Sequence, residues 1–156
     1  MHTEIEIKEM PAKRLAYVAH SGKFKEVGKA YQKLINWAET KGVLKSKEFE
    51  KITIYHDNPN VTEQTKVRLS ACLIIDEKVE VDGDIGLLLH PKGKCVVARF
   101  ELSFLEFEKA WNSVFVWLSE KGYKTDETRN CFDITYNNFL DHPERKSIMD
   151  ICVPIE

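Results

Sequence analysis

The sequence predicts an α+β fold: tandem pseudo-two-fold βαββ repeats, antiparallel sheets, two helices on one face and a central ligand groove. Three observations lead there. An offset of 80 residues superimposes the first half of the chain on the second. It aligns Phe24-Lys25-Glu26-Val27-Gly28-Lys29-Ala30-Tyr31 with Phe104-Leu105-Glu106-Phe107-Glu108-Lys109-Ala110-Trp111, and it pairs Pro11 with Pro91, Trp37 with Trp117 and Cys72 with Cys152. Within each half, segments of two-residue alternation flank one segment of helical spacing. Only two helical stripes occur, too few to cover both faces of an eight-stranded assembly.

The elements follow in order. Ile5 and Ile7 alternate with Glu4, Glu6 and Lys8, the period of a half-buried strand. Met10-Pro11-Ala12-Lys13 interrupts the run, and Arg14 to Ala19 resumes it. Phe24, Val27, Tyr31, Leu34 and Ala38 recur at helical spacing, with Gly42 as the stop. Glu50 to His56 and Lys66 to Ile75 read as two further strands, separated by the turn chemistry of Asp57-Asn58-Pro59-Asn60. The second half repeats the order. Strands cover Ile85 to Leu89 and Lys94 to Leu102, and a helix carries Phe104, Phe107, Trp111, Val114 and Leu118 to its stop at Gly122. Strands close the chain at Asn130 to Asn137 and Ser147 to Ile155. Each unit is ββαββ, or βαββ if its first strand is a short connector. One domain over 1–156 results, built of repeats at about 1–80 and 81–156, with Asp82-Gly83-Asp84 at the junction.

Composition narrows the function. The 156 residues carry 23 basic and 25 acidic side chains, interspersed, for a formal charge of −2. That balance argues against nucleic acid as a direct partner. No apolar run follows Met1-His2-Thr3-Glu4, and no stretch approaches a membrane span, so a cytoplasmic protein with neither signal peptide nor membrane contact is expected. Cys72, Cys95, Cys131 and Cys152 form no Cys-x-x-Cys pair and lie in apolar strand-like runs, which reads as buried free thiols. His2, His20, His56, His90 and His142 lack metal-ligand spacing. No metal and no cofactor is expected.

Comparing the copies assigns strand faces. In the third strand of the second copy Phe132, Ile134 and Tyr136 share one face, and Cys131, Asp133 and Thr135 the other. In the first copy Ile52 and Ile54 oppose Thr53, Tyr55 and Asp57. If the apolar faces meet the helices, then Asp133, Thr135, Thr53 and Tyr55 line an open groove near the pseudo-two-fold axis. Aspartate is depleted in strands, so Asp133 asks for a reason; a solvated polar face is the bland one. A hairpin centred near Asp141-His142 would set Asp133 opposite Asp150, and two like charges across a ladder need compensation. A raised proton affinity, Arg68 or Arg99, or a bound cation could supply it.

The residues resemble the GyrI-like, or AraC-type effector-binding, domain family. The likeness covers essentially the whole chain. It rests on Pro11-Ala12-Lys13-Arg14-Leu15-Ala16-Tyr17-Val18, on Gly28-Lys29-Ala30-Tyr31, on Ile54 through Thr62, and on the ending Asp150-Ile151-Cys152-Val153-Pro154-Ile155. The resemblance implies a duplicated SH2-like fold with a ligand channel between its halves. It also implies a role like that of drug-sensing domains of bacterial regulators, or of stand-alone members that include a DNA gyrase inhibitor. Multidrug sensors of the family hold lipophilic cations with aromatic rings and a glutamate in the third strand of the second copy. Some stand-alone members hydrolyse cyclopropane-bearing electrophilic toxins with that glutamate. Carried over by position, the glutamate falls on Asp133, one methylene shorter. The tyrosine expected two residues later is Thr135 here, and Tyr55 matches the tyrosine of the first copy.

The reading that follows is a stand-alone bacterial effector-binding domain holding small, lipophilic or cationic molecules. Asp133, Thr135, Tyr55 and Thr53 are its polar ligand contacts. Leu102, Phe107 and Trp111 supply its apolar wall, with core packing as the competing role for the last two. Two alternatives stand beside it. One is hydrolysis of electrophilic toxins, with Asp133 as general base and Tyr55 orienting the substrate. The other is a protein partner, either DNA gyrase or a transcription regulator.

Overall fold

A stripe of small and apolar side chains along each helix needs a sheet to cover, and the chain supplies one continuous sheet for both. The structure, a computed structural model, describes residues 2–23, 26–43, 50–58, 62–63 and 66–156. In chain order the strands are β1 (His2–Met10), β2 (Lys13–Ser21), β3 (Lys51–Tyr55), β4 (Arg68–Ile74), β5 (Gly86–His90), β6 (Gly93–Leu102), β7 (Cys131–Thr135) and β8 (Ser147–Pro154). The helices are α1 (Val27–Lys41) and α2 (Phe107–Lys121). Both helices, and both β3 and β7, obey the 80-residue offset at each end. The expected helix start at Phe24, and Pro59 and Asn60 of the expected turn, lie outside the described residues.

All strand pairs are antiparallel, in the order β1-β6-β8-β7-β3-β4-β2-β5. That order is symmetric about the β7–β3 pair. The first strand of each half is therefore no connector. β1 pairs with β6 and β5 with β2, so each half lends an edge strand to the other.

Both helices lie on one face. α1 turns Val27, Ala30, Leu34 and Ala38 inward, and α2 turns Ala110, Trp111, Val114 and Leu118 inward. Gly42 and Gly122 end them in the left-handed region, at φ 68° and 77°, where a residue without Cβ is unstrained. Their amides return to the carbonyls of the last turn.

The face assignment expected from the strands is inverted. Val96, Ala98, Phe100, Ile151 and Val153 share the helix-side core with Tyr55, and the strand registers put Thr53 and Asp133 on that same side. Ile52, Ile54, Phe132 and Ile134 point the other way, into a second core with Leu15, Cys72, Cys95 and Cys152. No helix among the described residues covers this second core; the sheet covers it by curling. Along a flat sheet β5 would stand about 19 Å from β7, four strands away at about 4.8 Å each. Yet the His90 ring meets Phe132 edge-on at 4.7 Å between centroids, and Lys13 places its Nζ 5.3 Å from the same ring. Met10, which the repeat relates to His90, packs against the same core. Strand alternation shows that two faces differ, but it does not say which one a helix covers when both are buried.

No helix among the described residues is long and apolar enough to cross a membrane. Phe132 is 1% exposed at the centre of the second core. Phe132→Ala should cost about 3–5 kcal/mol, read as a fall in the urea midpoint at unchanged slope. A loss below about 1 kcal/mol would mean that the curl does not seal this face.

Candidate functional site

The site forms where the two halves meet. β3 and β7 pair along their whole length, Lys51 with Thr135, Thr53 with Asp133 and Tyr55 with Cys131, so the pseudo-two-fold axis passes between Thr53 and Asp133. α1 packs over β2 and β4 while α2 packs over β6. The helices thus sit on the flanks and leave a gap over the axis. A cavity of about 580 Å³ occupies it. Thr53, Asp133 and Thr135 form the floor; Tyr31 from α1 and Phe107 from α2 line it from the two sides. Leu102 and Met149 add apolar surface.

Local sequence fixes the α2 side. Ser103 and Glu106 form a capping box, with the Ser103 amide and hydroxyl both donating to Glu106 Oε1 at 3.0 and 3.1 Å. This sets the entry of α2 and points Phe107 at the gap. Phe104, Leu105 and Phe139 also border the cavity and stay exposed.

Asp133 is the buried acid of the floor, 2% exposed. Tyr55 donates its hydroxyl to Asp133 Oδ2 at 2.6 Å. Thr53 also hydrogen-bonds the carboxyl, and its Oγ1 lies 2.7 Å from the Tyr31 hydroxyl. If Thr53 donates to Asp133, Tyr31 must donate to Thr53, which orients the chain Tyr31–Thr53–Asp133 in one direction. Burial pushes the Asp133 carboxyl up to about 7, with the Tyr55 and Thr53 hydrogen bonds opposing the rise. Burial, and then the charge of Asp133, hold the Tyr55 and Tyr31 phenols well above their ordinary range.

Other residues singled out in the sequence are divided. Thr53, Thr135, Leu102 and Phe107 face the cavity along with Asp133. Tyr55 stands behind the floor, reaching it through Asp133. Trp111 is behind Tyr55, its ring edge-on at 5.0 Å, and is core. Its Nε1 is buried with no hydrogen-bond partner among the described residues. The groove lies on the helix side, not on an open side, for the reason given above.

The expected opposition of Asp133 and Asp150 is wrong by one residue. Asp133 faces Ile151, and Asp150 faces Ile134 on the other side of the sheet. Asp150 has its own compensation: Arg99 Nε at 2.5 Å and the Tyr136 hydroxyl at 2.6 Å. Arg68 serves Asp57 instead. The four cysteines are free, and burial raises their thiols, Cys131 to about 12, so they are inert.

Tyr31, Lys51 and the segment bearing Phe139 and Arg145 belong to the cavity but were not singled out from sequence. Lys51 was within reach, since alternation puts it on one face with Thr53 and Tyr55. Tyr31 was also accessible, as a polar-tipped ring in an apolar helical stripe. The Phe139–Arg145 segment carries no local signal and reaches the cavity only through the fold.

Residues 3–156 match the family described as GyrI-like small molecule binding domain. In sequence the chain is 28% identical over 104 residues to DNA gyrase inhibitor 2 of Dickeya dadantii (strain 3937), covering 65% of this chain and 64% of that protein. The chain thus matches somewhat under two thirds of the relative's length. In structure it resembles the EcmrR C-terminal domain, at TM-score 0.78 and 16% identity, over 100% of this chain and 99% of the other. It also resembles SAV2435 bound to tetraphenylphosphonium, at TM-score 0.63 and 11% identity, over 98% and 94%. At these identities the likeness establishes the fold.

The carboxyl of Asp133 yields a pH test. Its folded pKa, about 7, lies above the ordinary value of 3.8. The folded state therefore binds the extra proton between those values, and the contribution is full below pH 4 and lost as pH rises through 7. Asp133→Asn should flatten the fall in Tm between pH 5 and 8 and be more stable than wild type at pH 8. Parallel curves for the two proteins would place the titration elsewhere.

Proposed function

The chain belongs to the GyrI-like small molecule binding domain family, and on that premise we propose that it holds lipophilic, positively charged small molecules between α1 and α2, with Asp133 as counter-ion. The observation that carries this reading is a carboxyl buried in the floor of a cavity whose surface is mostly apolar. Its protein donors, Tyr55 and Thr53, hold it in place. A cation brought to it in a desolvated site gains far more than one at the surface. Lys51, Glu144 and Arg145 also line the cavity, so selectivity rests on the depth of Asp133 rather than on net charge.

The lipophilic half of the proposal rests on area. Phe104, Leu105 and Phe139 remain exposed beside the cavity, and a ligand covering them gains about 25 cal/mol per Å². Tyr31 and Phe107 bring aromatic rings to the cavity, and a ring face presented to a cation is worth about 0.5–2 kcal/mol. The fold neighbour bound to tetraphenylphosphonium supports the same class of ligand.

A second reading has one observation in its favour. A carboxyl near pH 7 is what a general base needs, so hydrolysis of an electrophile in the same cavity is the alternative. Turnover of an electrophilic test substrate that vanishes in Asp133→Ala would favour it.

Titration calorimetry with tetraphenylphosphonium tests the binding reading. Wild type should bind, and Asp133→Asn should lose at least about tenfold in affinity, as expected for a desolvated ion pair. Because only the ionised carboxylate serves as counter-ion, affinity should be about tenfold weaker at pH 6 than at pH 8, with a proton released on binding at the lower pH. Equal affinity in the two proteins would remove Asp133 from recognition.

A further inference from the structure

Lys51 is the basic residue of β3 on the cavity wall, and no role described so far uses it. Its side chain is half-buried and lies beside that of Thr53 on the same strand face. Thr135 stands directly opposite it, and Asp133 is the diagonal neighbour one pleat further on, about 7–8 Å away for such positions. Lys51 Nζ lies 6.0 Å from the centroid of the Tyr31 ring, which places the amine against the cavity wall. In the second copy the equivalent position is Cys131, whose thiol is inert. The amine is therefore an addition that only one half of the cleft received.

We propose that Lys51 captures small hydrophobic aldehydes in this cavity as reversible imines. The inference shares with the proposed function the premise that the cavity admits small molecules, and it adds a covalent ligand class. The Lys51 nitrogen lone pair attacks the carbonyl carbon, and the carbonyl π pair moves to oxygen. A proton passes from nitrogen to that oxygen, giving a carbinolamine. Its hydroxyl takes a second proton, supplied by the Asp133 carboxyl, and leaves as water while nitrogen forms the double bond. The iminium then returns its N–H proton to the carboxylate, so amine plus aldehyde becomes imine plus water. Asp133, with its proton retained up to about pH 7, is the acid on the same floor.

Three features favour the reaction here over a surface lysine. Burial lowers the proton affinity of Lys51 below the ordinary lysine range, enlarging the nucleophilic fraction at neutral pH. Apolar neighbours such as Leu102, Phe107 and Met149 concentrate an aromatic or aliphatic aldehyde beside the amine. The cavity is also large enough to hold the adduct, since about 580 Å³ lies within the range of small-molecule sites.

The test is reductive trapping. The full chain is treated at pH 7 with benzaldehyde and cyanoborohydride, which fixes imines as benzylamines, and peptide mass spectrometry follows each lysine over time. Lys51 should be labelled first, several-fold faster than every exposed lysine. Saturating tetraphenylphosphonium should slow Lys51 alone, and Lys51→Arg should lose the fast phase while keeping the wild-type Tm. Labelling of Lys51 no faster than at exposed lysines overturns the proposal, as does fast labelling that a bound cation leaves unchanged. Calorimetry on the same sample separates the two readings. If the cation binds and Lys51 is slow, imine capture fails and cation binding stands; if Lys51 is fast and the cation does not bind, the reverse holds.

Discussion

The pairing of β3 with β7 is the constraint on which the rest of the structure depends. Five residues of each strand join the two halves of an eight-stranded sheet. Because the repeat operation maps one strand onto the other, the axis has to fall between them. The helices follow the flanks that their own halves provide, so a gap over the axis is a consequence of the symmetry and not a separate device. On the helix face of β3 and β7, Tyr55 still packs against Trp111 of α2, while Thr53, Asp133 and Thr135 border the gap. Polar groups at these positions are tolerated because they line space, and they are held in place by one another.

Departure from symmetry gives the gap its chemistry. Thr53 and Asp133 are equivalent in the repeat and adjacent across the axis, so one substitution set a hydroxyl beside a carboxyl. Tyr55 has Thr135 as its equivalent, and only Tyr55 reaches Asp133. Lys51 has Cys131. A strictly two-fold cleft would present the same group from both sides. Here an acid, its donors and an amine are divided between the halves, and each asymmetric position lies on two short rigid strands. Burial of Asp133 costs the fold stability near neutral pH, and the carboxyl's shift toward 7 is the measure of that cost.

The second core shows how the same sheet meets a different demand. With both helices committed to one side, Ile52, Ile54, Phe132 and Ile134 would face water on a flat sheet. Exchange of β1 and β5 between the halves gives the sheet long arms, and curling brings His90 onto Phe132 and Met10 against the same cluster. The exchanged strands are thus what allows two helices to suffice for eight strands. Asp150 sits on that face, neutralised by Arg99 and Tyr136, which is why its charge never meets Asp133.

The sequence by itself determined the repeat, the strands and helices with their boundaries near Gly42 and Gly122, and the identity of Asp133 as the residue needing an explanation. These are local properties: periodicity, stop residues and a polar side chain out of place in a strand are all written within a few positions. Tertiary structure decided which face the helices cover, the one-residue register that separates Asp133 from Asp150, and the arrival of Tyr31, Lys51 and the Phe139–Arg145 segment at one cavity. Each of those depends on strands far apart in sequence, and alternation with period two is blind to the choice of face. A residue's neighbours along the chain say that it alternates; only the curl of the sheet and the placement of the helices say toward what.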